Sequence, residues 1–198
     1  HSDITALNFI RSSPPYVFRR HFRYGLRSHV MEILEPADVE TENTGKVIDG
    51  VRQFPRALPL MMFRVFRSRF KTFEEIWEEV ERVKIISEYL APDYMAHSHE
   101  CIVEYHGPHG PELMLCGFQQ YVEGHTVDPW TPLDAEYFLS SIYITMRNRG
   151  IALPLSKTEW VADARLKGSQ LVDRLKRMIA RSGHIPDLAG VGNLIIKP

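Results

Sequence analysis

Two strand-like runs separated by a four-residue turn constrain this chain more than any other feature. ECIVEYH (residues 100–106) and ELMLCGFQQYV (residues 112–122) flank GPHG at residues 107–110. β-branched and aromatic residues on both sides of a Gly/Pro turn predict an antiparallel β-hairpin. With the turn centred on Pro108-His109, paired positions sum to 217. That register sets Cys101 opposite Cys116, Val103 opposite Met114 and Tyr105 opposite Glu112.

The segment before the hairpin carries a helical period. In TFEEIWEEVERVKIISEYL, Ile76, Val80, Val83, Ile86 and Leu90 form an apolar stripe, and Glu79 lies inside it while Glu75, Glu78 and Glu81 flank it. Thr72 and Glu75 are spaced as a capping box, and Pro92 stops the pattern, so a helix is expected over 73–90. Upstream, LPLMMFRVF (residues 58–66) is a short apolar run enclosing Arg64, read as a buried strand. Residues 36–58 are polar and Gly/Pro-punctuated and read as loop.

After Val122 a polar connector, EGHTVDPWTP, leads to a helix expected from Asp134 to Arg149. A second helix is expected from Gly168 to Arg181, ending at Gly183, and Leu194 to Ile196 reads as a final strand. The fold class is therefore α+β, a β-rich half before a helical half, with a cleft expected between two lobes. The expected division is residues 1–57 as an N-terminal extension and loop, 58–123 as a β-rich lobe and 124–198 as a helical lobe.

Composition narrows the class. A length of 198 residues suits one domain or two small lobes, and 44% hydrophobic with 25% charged residues excludes a disordered chain. The net charge of -1 gives no overall pull toward nucleic acid or membrane. Its distribution is uneven, however: residues 1–71 hold 12 Lys+Arg against 7 Asp+Glu, and the remainder 12 against 18. No apolar run approaches the roughly 20 residues that span a bilayer, so no membrane segment is expected. The N-terminus lacks the apolar core of a signal peptide. A first residue of His1 suggests a trimmed start. Two cysteines, Cys101 and Cys116, speak against a disulfide framework and for a reducing, cytoplasmic setting.

The order of these elements resembles the protein-kinase-like superfamily, especially its atypical bacterial and small-molecule branches, over Leu58 to Ile196. In that family a strand bearing a Lys is followed by a helix bearing a Glu that pairs with it. A hairpin then leads into a hinge, helices follow, and a loop with a catalytic Asp and a metal-binding Asn precedes a strand. The resemblance implies Arg64 in the lysine position, Glu79 as the helix glutamate, and Gln120, Tyr121 and Val122 in the hinge that would meet adenine. It implies Asp187 as the base-like residue and Asn193 as a ligand of Mg²⁺, with ATP as the nucleotide. Phosphoryl transfer needs positioned cations around the phosphates and a carboxylate near the accepting hydroxyl.

The chain departs from the family pattern. Arg64 replaces Lys, six positions rather than five separate Asp187 from Asn193, and only Gly45 and Gly50 offer a substitute for a glycine-rich phosphate loop. The family's second metal-binding Asp would fall beyond Pro198. The expectation is accordingly either a piece of a longer phosphotransferase or a degenerate relative, with an unknown phosphate acceptor or a protein partner.

Other residues admit two readings each. The closing loop is either that catalytic segment or a helix cap at Gly183 followed by a turn built on Asp187 and Asn193. Arg64 is either an edge residue reaching solvent or the partner of Glu79. Of His97, His99, His106 and His109, the middle pair would lie about 23 Å apart along a strand, too far to share a metal, so no metal site is expected there. Cys101 and Cys116 are either reduced neighbours or a cross-strand disulfide. YVFRRHFRYGLR sets Arg19, Arg20, Arg23 and Arg27 among Tyr16, Phe18, Phe22 and Tyr24, which suits core packing or, alternatively, a non-enzymatic module engaging nucleic acid or an acidic protein. RVFRSRFK adds Arg67, Arg69 and Lys71 to the same half. Both basic stretches suit an anionic ligand if they share a face.

Overall fold

The computed structural model describes residues 15–21, 27–107, 110–132, 135–188 and 193–198, in a mixed α+β arrangement of two compact units. The first comprises His1–Val80 and His97–Tyr121, the second Glu81–Ala96 and Val122–Pro198.

The first unit is built on a five-stranded, fully antiparallel sheet. Its strands are β1 (Val17–Arg20), β2 (Ser28–Leu34), β5 (Met61–Phe66), β6 (Ser98–Gly107) and β7 (Gly110–Gln120), in the order β1-β2-β5-β7-β6. The β6–β7 hairpin has the expected register, pairing Cys101 with Cys116, Val103 with Met114 and Tyr105 with Glu112. The turn residues Pro108 and His109 lie outside the described residues. Met31, Ile33, Leu34, Met62, Val65, Leu115 and Cys116 are buried along the three inner strands, and the unbroken buried runs 31–34 and 115–117 show that both faces are covered there.

The first 57 residues differ from their sequence reading. β1 and β2 come from the stretch taken as an extension, yet they are two of the sheet's five strands. Residues 36–58, read as loop, contain α1 (Pro36–Thr44) and a small hairpin of β3 (Lys46–Ile48) and β4 (Val51–Gln53). α1 escapes pattern reading because it buries no residue and so has no apolar stripe. Pro36 in its first turn is the start signal. The turn at Asp49-Gly50 puts both residues at positive φ, 51° and 77°, as a two-residue hairpin with matched twist demands.

α2 spans Phe73–Leu90, the bounds expected from its stripe. The Thr72 hydroxyl accepts from the Glu75 amide at 3.3 Å, but the Glu75 carboxylate accepts from the Lys71 amide at 2.8 Å rather than closing on the cap residue.

The second unit carries α3 (Glu136–Asn148), α4 (Lys157–Ser182), β8 (His125–Val127) and β9 (Leu194–Ile196). β8 and β9 pair antiparallel, His125 opposite Ile196. The helix expected from Asp134 begins at Glu136, and Asp134 itself lies outside the described residues. α4 begins eleven residues before its expected start at Gly168. The reason is a capping box: the Ser156 hydroxyl accepts from the Glu159 amide, and Glu159 accepts from the Ser156 amide at 3.0 Å. One turn later Trp160 and Val161 enter a core with Val127, Leu139, Ile142, Tyr143 and Met146, which anchors the early start. Gly183 ends α4 in the left-handed region, φ 71°, its amide donating to the Ile179 carbonyl.

Among the described residues no helix is long and apolar enough to cross a membrane.

Candidate functional site

The centre of the sheet holds a charge pair that the sequence order alone does not reveal. Across one row of the register lie Val30 on β2, Arg64 on β5, Gly117 on β7 and Glu100 on β6. Gly117 separates the two charged residues and has no side chain to block them. A methyl group there would stand 3.4 Å from Nη2 of Arg64 and 3.6 Å from Oε1 of Glu100. Through that lane the Arg64 guanidinium crosses β7, and Nη2 donates to Oε1 of Glu100 at 3.0 Å. The Ser98 hydroxyl donates to the same oxygen at 3.0 Å.

Both groups are largely withdrawn from water, with 24% of the Arg64 side chain and 10% of the Glu100 side chain exposed. Burial disfavours the Arg64 cation and lowers its pKa, while the Glu100 charge works in the opposite sense. A guanidinium starts so high that it stays charged at neutral pH. Its Nε–H is buried and has no hydrogen-bond partner among the described residues. An unsatisfied buried donor costs about 1–3 kcal/mol, so Arg64 is held beside its carboxylate yet remains one acceptor short.

This geometry corrects the expected partner. Arg64 pairs with Glu100, not with Glu79. Glu79 instead accepts from Nη2 of Arg27, with oxygens at 3.2 and 3.4 Å. The signal for Glu100 was present in the hairpin register, where it falls opposite a glycine. What pattern reading lacks is the lateral placement of β5 beside β7.

A second charge cluster lies on the β1–β2 edge. Glu32 is 1% exposed and is met by Nε of Arg19 at 2.8 Å, Nδ1 of His21 at 2.8 Å and Nη2 of Arg56 at 2.9 Å. Arg19 also reaches Glu42 at 2.6 Å and the Ala57 carbonyl at 3.2 Å. Burial works to raise the Glu32 pKa, but hydrogen bonds from His21 and Arg19 and the charges of Arg19 and Arg56 outweigh it, and the carboxyl sits below the ordinary range.

The remaining expected site residues are distributed as follows. Gln120 ends β7, its amide donating to the His97 carbonyl at 2.8 Å, and Tyr121 follows it in the first unit. Val122, Asp187 and Asn193 belong to the second unit. Asp187 and Asn193 are both exposed, and residues 189–192 of the loop that joins them lie outside the described residues. Just before that loop, Nδ1 of His184 lies 2.8 Å from the Ser182 carbonyl, continuing the cap begun at Gly183. Among the described residues no three His, Cys, Asp or Glu side chains converge as a metal site.

Cys101 and Cys116 face each other as free thiols. Burial, then the neighbouring Cys101 sulfur, pushes the Cys116 pKa up to about 11, so it is not an activated nucleophile. Of the basic-aromatic N-terminal stretch, Phe22, Arg23 and Tyr24 lie outside the described residues. Phe18 packs edge-on to Phe63 at 6.3 Å between ring centroids, the packing role expected of it.

The centre of the sheet thus holds a cation with one buried donor unspent, its guanidinium lying in the lane that Gly117 leaves open. Comparison of this chain with protein-family models, curated proteins and solved structures found no match.

Proposed function

We propose that the chain is a kinase-like nucleotide-binding domain, either a phosphotransferase with an unknown acceptor or an inactive relative. The observation that carries the reading is Arg64. It is a cation on the strand where the reading requires one, clasped by a carboxylate and still short of an acceptor. A phosphate oxygen would supply that acceptor, and arginine suits phosphate through its several fixed donors. Further support comes from the order in which the elements follow: β5, α2, the β6–β7 hairpin, a connector, two helices, a loop with Asp187, and β9 directly after Asn193.

In this reading the phosphates of ATP meet Arg64, and Gln120, Tyr121 and Val122 receive the adenine edge. Asp187 takes the base-like role, and Asn193 gives Mg²⁺ an oxygen ligand. The pairing carboxylate comes from Glu100 on the sheet instead of the helix residue Glu79.

The test is thermal unfolding with Mg²⁺-ATP, compared with ADP, GTP and Mg²⁺ alone. Saturation at 100 times the dissociation constant stabilises a fold by about 2.7 kcal/mol. A Mg²⁺-dependent rise in Tm that is lost in Arg64→Met and in Asn193→Ala is the expected result. Absence of any shift with all three nucleotides would sink the reading.

A further inference from the structure

A cavity of about 530 Å³ opens in the first unit at one end of the sheet, and Arg64 is not part of its lining. Its cations are Arg20 at the end of β1 and Arg67 and Arg69 just past β5. Against three guanidinium groups stands one carboxylate, Glu112, whose Oε1 lies 3.8 Å from Arg69. Arg67 makes no side-chain hydrogen bond or ion pair with any described residue. The segment bearing Arg67, Ser68 and Arg69 is pinned on both sides. The Arg67 amide donates to the Arg27 carbonyl at 2.9 Å, and Phe70 bridges Leu113.

One wall is apolar, formed by Phe66, Leu113 and Met114, while Ser68 adds a hydroxyl. His29 opens onto the same space, and burial, then the Arg67 charge, holds its pKa below the ordinary imidazole value. The Arg67 and Arg20 charges act on His29 in the same sense as burial, and a bound anion would offset them.

We propose that this cavity binds a small organic phosphate, with its phosphate on Arg20, Arg67 and Arg69 and its organic part against Phe66, Leu113 and Met114. Guanidinium forks match phosphate oxygens two at a time, and a dianion balances the local charge. The volume falls in the range of about 300–1,000 Å³ typical of small-molecule pockets. A polymer would instead be expected to follow an extended basic track, and this lining is a compact patch walled by apolar side chains. The site uses none of the residues assigned to the nucleotide, so the two readings stand or fall separately.

The probe is phenyl phosphate without Mg²⁺, titrated into the full chain by calorimetry and by NMR of the His29 ring protons. Saturable one-to-one binding is expected, with the His29 pKa rising on binding. Arg67→Ala/Arg69→Ala should weaken it by about tenfold or more, since each lost charge-assisted contact removes roughly that factor. Arg177→Ala, an exposed arginine of the second unit, should leave it unchanged. Both replaced arginines are exposed, so the double variant should melt with the wild type. Benzoate binding as tightly as phenyl phosphate would overturn the phosphate assignment. So would an unsaturable isotherm, or binding indifferent to the double variant. A twelve-residue oligothymidylate that binds more tightly than phenyl phosphate, with a steep salt dependence, would overturn the small ligand in favour of a polymer.

Discussion

Two carboxylates on one sheet, Glu32 and Glu100, are both withdrawn from water and both held by arginine, yet they are finished differently. By register they share a face: Glu32 lies two residues from Val30, whose row continues through Arg64 and Gly117 to Glu100. Around Glu32, each oxygen receives a donor, and Arg19 spends its remaining nitrogens on Glu42 and the Ala57 carbonyl. Around Glu100 the arginine keeps an unspent Nε–H, and the lane over a glycine is filled by the guanidinium itself. A saturated network ties β1, β2 and the segment after β4 together. An unsaturated one sits in the middle of a sheet that could have packed apolar side chains there.

The difference can be broken experimentally at four points. The largest effect falls on the saturated cluster. Glu32→Ala removes the common acceptor of two arginines and a histidine and should destabilise the fold by about 3 kcal/mol in urea unfolding, the low end for a broken buried pair because Arg56 can reach solvent. A loss under about 1 kcal/mol would place Glu32 with the weak surface pairs instead.

Next is the mid-sheet pair. Arg64→Met leaves Glu100 buried and partly unpaired and should cost about 2 kcal/mol, whereas Arg64→Met/Glu100→Leu should recover most of that loss. Recovery of stability without recovery of nucleotide binding would separate structural from functional contributions. Gly117→Ala is smaller: contacts at 3.4 and 3.6 Å are ordinary van der Waals distances, so it should change stability by less than about 0.5 kcal/mol and leave the guanidinium on Glu100. A double-mutant cycle between positions 64 and 100 read in that background should then show the wild-type coupling, and a diminished one would mean that the lane has no room for a methyl group.

The smallest effect is in pH. Because the folded Glu32 carboxyl titrates below its unfolded value, its stabilisation is fully present above about pH 4.3, the ordinary glutamate range, and is lost as pH falls through the lower folded value. The stability gap between wild type and Glu32→Gln should therefore narrow on acidification below that point. A gap that widened would mean that the cluster does not favour the ionised form.

What could be read from the sequence follows the reach of each interaction. The β6–β7 register, the bounds of α2 and the strand Leu194–Ile196 are set by neighbours a few residues away, and those were legible. α1 was not, because a helix with no buried residue carries no stripe. The early start of α4 is not in the expected span from Gly168 although its Ser156-x-x-Glu159 box stands in the sequence, since Trp160 and Val161 gain their core partners only from α3 and β8. Glu79, inside the apolar stripe, was one of two readings for Arg64, the other being a side chain reaching solvent. The true partner is two strands away, and strand order is decided by contacts on both sides of α2. Glu32 gave no sign at all, because its three partners arrive from β1, from the residue after it and from the segment beyond β4.

The β8–β9 ladder has a kinetic consequence. It joins three residue pairs whose positions are up to 71 apart, His125 with Ile196, while the β6–β7 hairpin joins ten pairs around one tight turn. Loop closure charges the longer span more entropy and returns fewer bonds for it. Amide hydrogens of residues 194–196 should thus exchange with deuterated water far sooner than those of β7, through openings that release the strand following Asn193 while the hairpin stays shut.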